Sequence, residues 1–372
     1  MDIFEELKLH QYINAEDTFT KYGASCMPVC SLKAMKEISR CWVDLTEVQK
    51  KTGDAIARLT HNEAAYITNG AAGGLMICAA ACIALDSEKM YSSLPEAGRR
   101  REIIVQRAQH NPYDKSLAAA GAKLVFVGKM DSPPAMAEVY NAITERTAAV
   151  AYFVYHGKAG SLPLEQMIKI AHENHVPIIV DAAAQNPPAS NLWKLTEAGA
   201  DMVIFSGGKT LRGPQDSGLV LGKREWIERC RRWGPPLDGV CRCCKTSREA
   251  IVGLYAAVKA YLARDEMSVA RRLSGFCACF EKTLRGCGFA ELWREEGPVG
   301  QKFPRTFGKM PFGKAEKLAE KMKQNGIFIG TDAIDNTVIF NPLLLTASQV
   351  AIVCSVLERC MNEIKEEKDG GN

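Results

Sequence analysis

From about residue 64 to residue 222 the chain alternates short, β-branched apolar runs with amphipathic segments. The runs read AAYIT, REIIVQ, KLVFVG, AVAYFVY, VPIIVD, DMVIFS and SGLVLG. They are apolar nearly throughout, as expected of strands buried on both faces. Between most of them lie helical patterns such as PLEQMIKIAHENH, in which Leu164, Met167, Ile168 and Ala171 make one apolar stripe. This alternation predicts an α/β fold with a mostly parallel central sheet covered by helices. In such sheets ligands bind at the carboxyl ends of the strands. Past about residue 245 the pattern changes to two long helical stretches (248–263 and 265–285), short strand-like pieces IFIG and TVIFN, and a final helix, ASQVAIVCSVLERCMNEI. The expected organisation is a large domain over 1–245, including the N-terminal segment, and a smaller α+β domain over 246–372.

Composition narrows the function classes. Of 372 residues, 47% are apolar and 24% charged, with no long segment depleted in apolar side chains, so the chain is an ordered globular protein. A net charge of +4 gives no electrostatic reason to expect a nucleic-acid partner. The opening MDIFEELKLHQYINAEDTF has early acids and no apolar core segment, unlike a secretory signal. The run GLMICAAACIAL is too short to span a bilayer. A cytoplasmic protein with no membrane partner is expected. The 14 cysteines are scattered without paired CxxC motifs, so they are expected to be reduced thiols and no metal is expected. The cluster CRCC, residues 241–244, is set apart by its position just before the second domain.

Three strand ends carry chemistry. After YIT, Gly70 permits a tight turn, and Ala71 and Ala72 open an alanine-rich helix whose amides suit an anion; a tightly packed helix start would look the same. After VPIIV comes Asp181, a carboxylate that needs a cationic or hydrogen-bonding partner unless it merely caps the next helix. After DMVIFSGG comes Lys209. Lys209 does not belong to a P-loop: Val203 stands where the first glycine is required, and TLRGPQDSG cannot open a helix. A helix start for phosphate, an aspartate that keeps a pyridine nitrogen protonated and a lysine amine that joins an aldehyde together describe a pyridoxal 5'-phosphate site. Arg212, three residues from Lys209, and Arg305 are candidates for holding a substrate carboxylate, which a guanidinium grips with two hydrogen bonds.

The segments FSGGKTLRGPQDSGLVLGK and KTSREAIVGLYAAV, with YINAEDTFTKYGASCMP, AAYITNGAAGGL, HNPYDKSLAAAGAKLVFVG, VPIIVDAAAQNPP and FNPLLLTASQ, resemble the selenocysteine-synthase-like group of fold-type-I pyridoxal phosphate enzymes. Within that group the chain is more similar to the D-glucosaminate-6-phosphate ammonia-lyases and their relatives than to the selenium transferases. The resemblance implies the fold-type-I transferase fold and a homodimer or larger homo-oligomer. It implies Lys209 as the Schiff-base lysine and Asp181 as the pyridine-nitrogen partner. Ser206 and the turn Gly70–Ala72 would reach the phosphate, Gln109 or His110 would cover the ring, and Lys245 or Arg242 would approach a neighbouring subunit's cofactor phosphate. The chain departs from the family pattern at Glu16-Asp17 (usually Ser-Gly), at Gln109-His110 (usually His-Arg) and at Cys243-Cys244 within Arg-X-Met-Lys. These departures fall on the substrate side of the site. A packing role is favoured for the two cysteines over a metal-binding or sulfur-handling one.

The implied reaction is α,β-elimination of a hydroxylated amino acid or amino-sugar acid to a 2-oxo acid and ammonia. Alternatives are a selenium or sulfur transferase acting on tRNA, a racemase, or a non-catalytic cofactor-binding paralogue. Only about a dozen residues precede YINAEDTF, so the tRNA-binding extension of the selenium transferases is not expected, while retention of both Lys209 and Asp181 favours an enzyme.

Overall fold

The computed structural model describes residues 2–96, 98–154, 160–296 and 301–369. Its strands are β1 (Ile13–Ala15), β2 (Ala64–Thr68), β3 (Glu102–Gln106), β4 (Lys123–Val127), β5 (Thr147–Phe153), β6 (Ile178–Asp181), β7 (Met202–Ser206), β8 (Gly218–Gly222), β9 (Leu292–Glu296), β10 (Pro304–Lys309), β11 (Ile327–Asp332) and β12 (Thr337–Phe340). The seven apolar runs become β2 to β8 and make one sheet in the order β2-β8-β7-β6-β5-β3-β4. Neighbours from β7 to β4 pair in parallel, each reached through a helical crossover. β8 runs antiparallel to both β7 and β2, because the turn that carries Lys209 holds no helix and the chain reverses directly.

One face of the sheet is covered by the helix Ala71–Ala84, which is buried almost all round. On the other face, Met167, Ile168, Ile170 and Ala171 of the helix Leu164–Glu173 pack with Val150, Val180 and Val203.

The chain divides into two compact units: 25–263 with 298–301, and 1–24 with 264–297 and 302–372. This differs from the expected division at 245/246 in two places. The helix Arg248–Leu262 puts Ile251, Leu254 and Val258 into the same core as Ile67, Val203 and Leu219, so it belongs with the large sheet. The first 24 residues belong with the smaller unit, because β1 pairs in parallel with β11, Ile13 opposite Ile327. The small unit's sheet runs β1-β11-β12-β10-β9. Among the described residues no helix is long and apolar enough to cross a membrane.

Candidate active site

Strand register gathers several of the predicted residues at one edge of the large sheet. Thr68 of β2 and Ser206 of β7 both lie opposite Gly218 of β8, Asp181 lies opposite Ile204, and Phe153 of β5 lies opposite Asp181. The carboxyl ends of the parallel strands therefore carry Ser206, Asp181 and Phe153 side by side. The chain leaving β3 brings Gln109 and His110 alongside Phe153. A cavity of about 380 Å³ opens here, lined among others by His110, Tyr113, Phe153, Asp181, Gln185 and Lys209.

Lys209 stands on a turn that only glycine allows. A side chain at Gly207 would lie 2.1 Å from the Ser217 hydroxyl, and one at Gly208 would lie 2.6 Å from the Gln215 backbone. The turn is pinned by Gly207 N donating to Ser217 O (2.8 Å), Gly213 N to Gly207 O (2.8 Å), the Ser25 hydroxyl to Gly208 O (2.6 Å) and the Thr210 hydroxyl to Asn186 O (2.8 Å). Lys209 is thus half-buried at a fixed place on the cavity wall.

Asp181 ends β6 facing the same cavity. Its surface is reachable from the cavity, yet protein surrounds the carboxyl, and burial pushes its pKa above the ordinary 3.8. The Ala183 amide, which donates to Oδ1 at 3.0 Å, and the nearby Lys209 charge pull it back down. A folded-state pKa above the unfolded one means that ionising Asp181 opposes folding. Its stabilising contribution is complete below the ordinary value and is lost as pH rises through the raised one. Cofactor-free Asp181→Asn is therefore expected to melt at a higher temperature than the cofactor-free wild type near neutral pH, with the gap closing below about pH 4. Equal melting temperatures at neutral pH would show that the carboxylate is already compensated.

His110 is held by Asp114, four residues on: Nδ1 lies 2.5 Å from Oδ2 of a carboxylate that is 1% exposed. The ring also meets the edge of Phe126 at 5.2 Å. Gln109 is placed differently from the expectation. Its side chain is buried, its Oε1 accepts from Phe153 N (3.0 Å), and it does not line the cavity. Of the two candidates to cover a ring, only His110 lines the cavity. Asp114 was missed from the sequence, because His110 and Asn111 are extended and only the short turn Pro112–Asp114 brings the carboxylate back to the histidine.

The Gly70–Ala72 turn ends β2 at the same sheet edge. Gly70 has φ +103°, which favours glycine, and the first-turn amides that follow have no acceptor within the helix. At Gly73 a Cβ would lie 1.8 Å from Asn69 Oδ1, so a side chain there would displace the Asn69 amide. Ser206 closes β7 with its amide on Ala183 O (3.2 Å). Neither the turn nor Ser206 lines the cavity beside Lys209. The exposed Lys245 directly follows the helical turn Val240–Cys244, which is tied to the same helix start by Asn69 Nδ2 donating to Cys243 O (3.2 Å).

Arg212 does not line this cavity. Arg212, with φ +60°, donates from Nε to the Cys26 carbonyl at 2.8 Å. Arg305 belongs to the smaller unit, is 2% exposed, and pairs with Asp17 at 3.2 Å. The Glu16-Asp17 departure thus has a structural counterpart: Asp17 neutralises a buried guanidinium, while Glu16 accepts from the Tyr22 hydroxyl at 2.5 Å.

A buried carboxylate, a lysine amine within its field and a glycine-opened helix start on one sheet edge fit pyridoxal phosphate, whose protonated ring nitrogen, aldehyde and phosphate are their complements. The arrangement is that of a fold-type-I pyridoxal phosphate enzyme. Solved structures agree on the fold. The chain superposes on D-glucosaminate-6-phosphate ammonia-lyase with a TM-score of 0.84 at 24% identity, covering 98% of this chain and 99% of that one. With a pyridoxal phosphate complex of serine palmitoyltransferase from S. paucimobilis the TM-score is 0.60 at 11% identity, over 96% and 89% of the two chains.

The family model for L-seryl-tRNA selenium transferase (SelA) matches residues 32–274, and the chain belongs to that family. It is 31% identical to the D-glucosaminate-6-phosphate ammonia lyase of Salmonella typhimurium over 70% of each chain. It is 30% identical to a 5'-C-glycyluridine monooxygenase-decarboxylase of a Streptomyces species, over 71% of this chain and 66% of that one. With the L-seryl-tRNA(Sec) selenium transferase of Nitratidesulfovibrio vulgaris the identity is 26%, over 68% and 57%. The cofactor of the protein is pyridoxal 5'-phosphate, and the protein is an enzyme.

Proposed function

We propose that the protein is an ammonia-lyase that converts a β-hydroxylated amino acid or amino-sugar acid to a 2-oxo acid and ammonia. One observation carries the reading: Asp181 and Lys209 face one cavity at the strand ends, in a chain 31% identical to an ammonia lyase. Bound there, pyridoxal phosphate supplies an aldehyde carbon for the substrate amine and a cationic ring that takes up the electron pair of the broken Cα–H bond. Asp181 would keep the ring nitrogen protonated, and Lys209 Nζ would anchor the cofactor and, once released, move the substrate's Cα proton. His110, oriented by Asp114, stands at the same cavity to give a proton to the departing hydroxyl. Water leaves across Cα–Cβ and water returns as ammonia departs, so the net change is amino acid to 2-oxo acid plus ammonia.

Ser206, the Gly70–Ala72 turn and Lys245 are proposed as phosphate contacts, Lys245 toward a neighbouring subunit of a homo-oligomer. Arg212 is proposed to keep a role near the substrate, although its Nε is engaged by Cys26 O. For Arg305 a substrate role requires release from Asp17. The expected compartment is the cytoplasm, which the 14 free cysteines support.

A panel of D- and L-hydroxy amino acids and phosphorylated amino-sugar acids, assayed for ammonia and 2-oxo acid, tests the reading. Equal amounts of both products from at least one member are expected. Return of the inverted amino acid, or release of carbon dioxide, would replace it with a racemase or a decarboxylase.

Two residue-level outcomes follow. Asp114→Asn keeps the side-chain volume but removes the charge that orients His110. It should lower kcat by about tenfold or more with little change in KM, the scale of a partly impaired proton transfer; an unchanged kcat would remove His110 from the proton path. Lys245→Ala should raise the concentration of pyridoxal phosphate needed to saturate the enzyme, whereas the double change Cys243→Ala, Cys244→Met should keep most activity. The reverse ranking would make a thiol a participant in the reaction and bring the sulfur or selenium transferase forward.

A further inference from the structure

Beside the helix start that opens the phosphate turn, three sulfur atoms converge. Met76 Sδ lies 3.6 Å from Cys243 Sγ and 3.6 Å from Cys244 Sγ, and the two thiols lie 4.0 Å apart. An ion bonded to three sulfurs in a plane at about 2.3 Å, the length of a metal–thiolate bond, sets those sulfurs about 4.0 Å from one another. The three sulfurs therefore already stand near the spacing a trigonal ion imposes. We propose that Cys243, Cys244 and Met76 form a binding site for a soft monovalent cation, copper(I) or silver(I).

The ligand chemistry selects the ion. Two thiolates and a thioether suit copper(I), whereas zinc favours four nitrogen or thiolate ligands in a tetrahedron. Among the described residues no group of three His, Cys, Asp or Glu side chains is placed to hold a metal, so no harder ligand set completes a zinc site here. The site is also built in advance. Cys243 O is held by Asn69 Nδ2 at 3.2 Å, and the Cys243 thiol donates to Val240 O at 3.4 Å. Cys244 is 3% exposed while Cys243 faces solvent, giving one closed side and one entry side. Packing explains the buried Cys244, but it gives no reason for the solvent-facing Cys243 to turn its sulfur to Met76.

On binding, two S–H bonds release their protons to water, two sulfur–metal bonds and one thioether donor bond form, and no oxidation state changes. The bound group carries one negative charge, flanked in sequence by Arg242 and Lys245. Because binding releases the two thiol protons, affinity should fall as pH falls. The third ligand comes from a helix 167 residues away from Cys243, which is why cysteine spacing alone did not disclose the site.

The test is anaerobic titration of the cofactor-loaded enzyme with copper(I) against the chromogenic chelator bicinchoninate. Because the chain has 14 cysteines, variants rather than stoichiometry alone must decide. The wild type should withdraw one equivalent from the chelator, and Cys243→Ser with Cys244→Ser should lose it. Met76→Leu, which keeps every thiol, should weaken it by at least about tenfold, the scale on which even outer partners of a metal act. Far-ultraviolet circular dichroism and cofactor absorbance matching the wild type establish that the variants are folded. Retention of the equivalent by the double serine variant, undiminished affinity in Met76→Leu, or no withdrawal by the wild type would each overturn the assignment.

Discussion

Replacing Lys209 with alanine is expected to reduce turnover by about 10⁴-fold or more, the upper range for loss of a positioned proton-transfer group, compounded here by loss of the cofactor's anchor. The fold should survive. Lys209 is half-buried on a turn held by backbone bonds among Gly207, Gly213 and Ser217 and by the Ser25 hydroxyl, none of which uses the lysine side chain. The turn's glycines, by contrast, admit no side chain, so Gly208→Ala should impair folding and activity together. Steady-state assay of Lys209→Ala, with its melting curve, separates the two cases. Activity within tenfold of the wild type would remove this lysine from the chemistry.

Asp181→Asn is expected to keep the cofactor and lose at least about a hundredfold in kcat, the scale of removing one preorganised electrostatic group. Asparagine preserves the volume and the oxygen that accepts from Ala183 N, so the strand end should stay in place. What it removes is the negative charge that, in the proposed mechanism, holds a proton on the ring nitrogen. The effect should therefore appear in kcat, with the cofactor still attached through Lys209. The same substitution is expected to stabilise the cofactor-free protein, because burial opposes the ionised carboxyl there. One change that stabilises the empty fold and slows the loaded enzyme is the signature of a carboxylate placed for a cation. Wild-type turnover in Asp181→Asn would refute that role.

The large sheet was legible because each of its strands is apolar on both faces and bounded by turn residues; all seven runs from AAYIT to SGLVLG pair in it. Its edge chemistry was legible for a related reason. Strand ends in a parallel sheet fall in register, so a lysine just after β7 and an aspartate at the end of β6 come close together. What escaped depends on contacts between distant residues or on strands without an apolar pattern. β9 is LWREE, exposed along most of its length, and β10 begins with proline and carries glycine and charged residues, so neither shows the periodicity that marks a buried strand. β1 is three residues long and is defined only by its partner β11.

Among the site residues, Gln109 and His110 are adjacent in sequence, and only the backbone path after β3 decides which faces the cavity. Arg305 looked available for a carboxylate because its partner, Asp17, lies in a segment hundreds of residues earlier that joins the same unit. Met76 gave no signal at all, since a methionine in an alanine-rich helix reads as packing until the cysteines of the Val240–Cys244 turn are seen beside it.

If Lys209 carries pyridoxal phosphate at the strand ends, borohydride reduction of the purified enzyme, followed by proteolysis and peptide mass mapping, should place the mass of a reduced pyridoxyl phosphate on the peptide containing Lys209 and on no other. The same mass on a different lysine, with the Lys209 peptide unmodified, would rule this lysine out as the anchor.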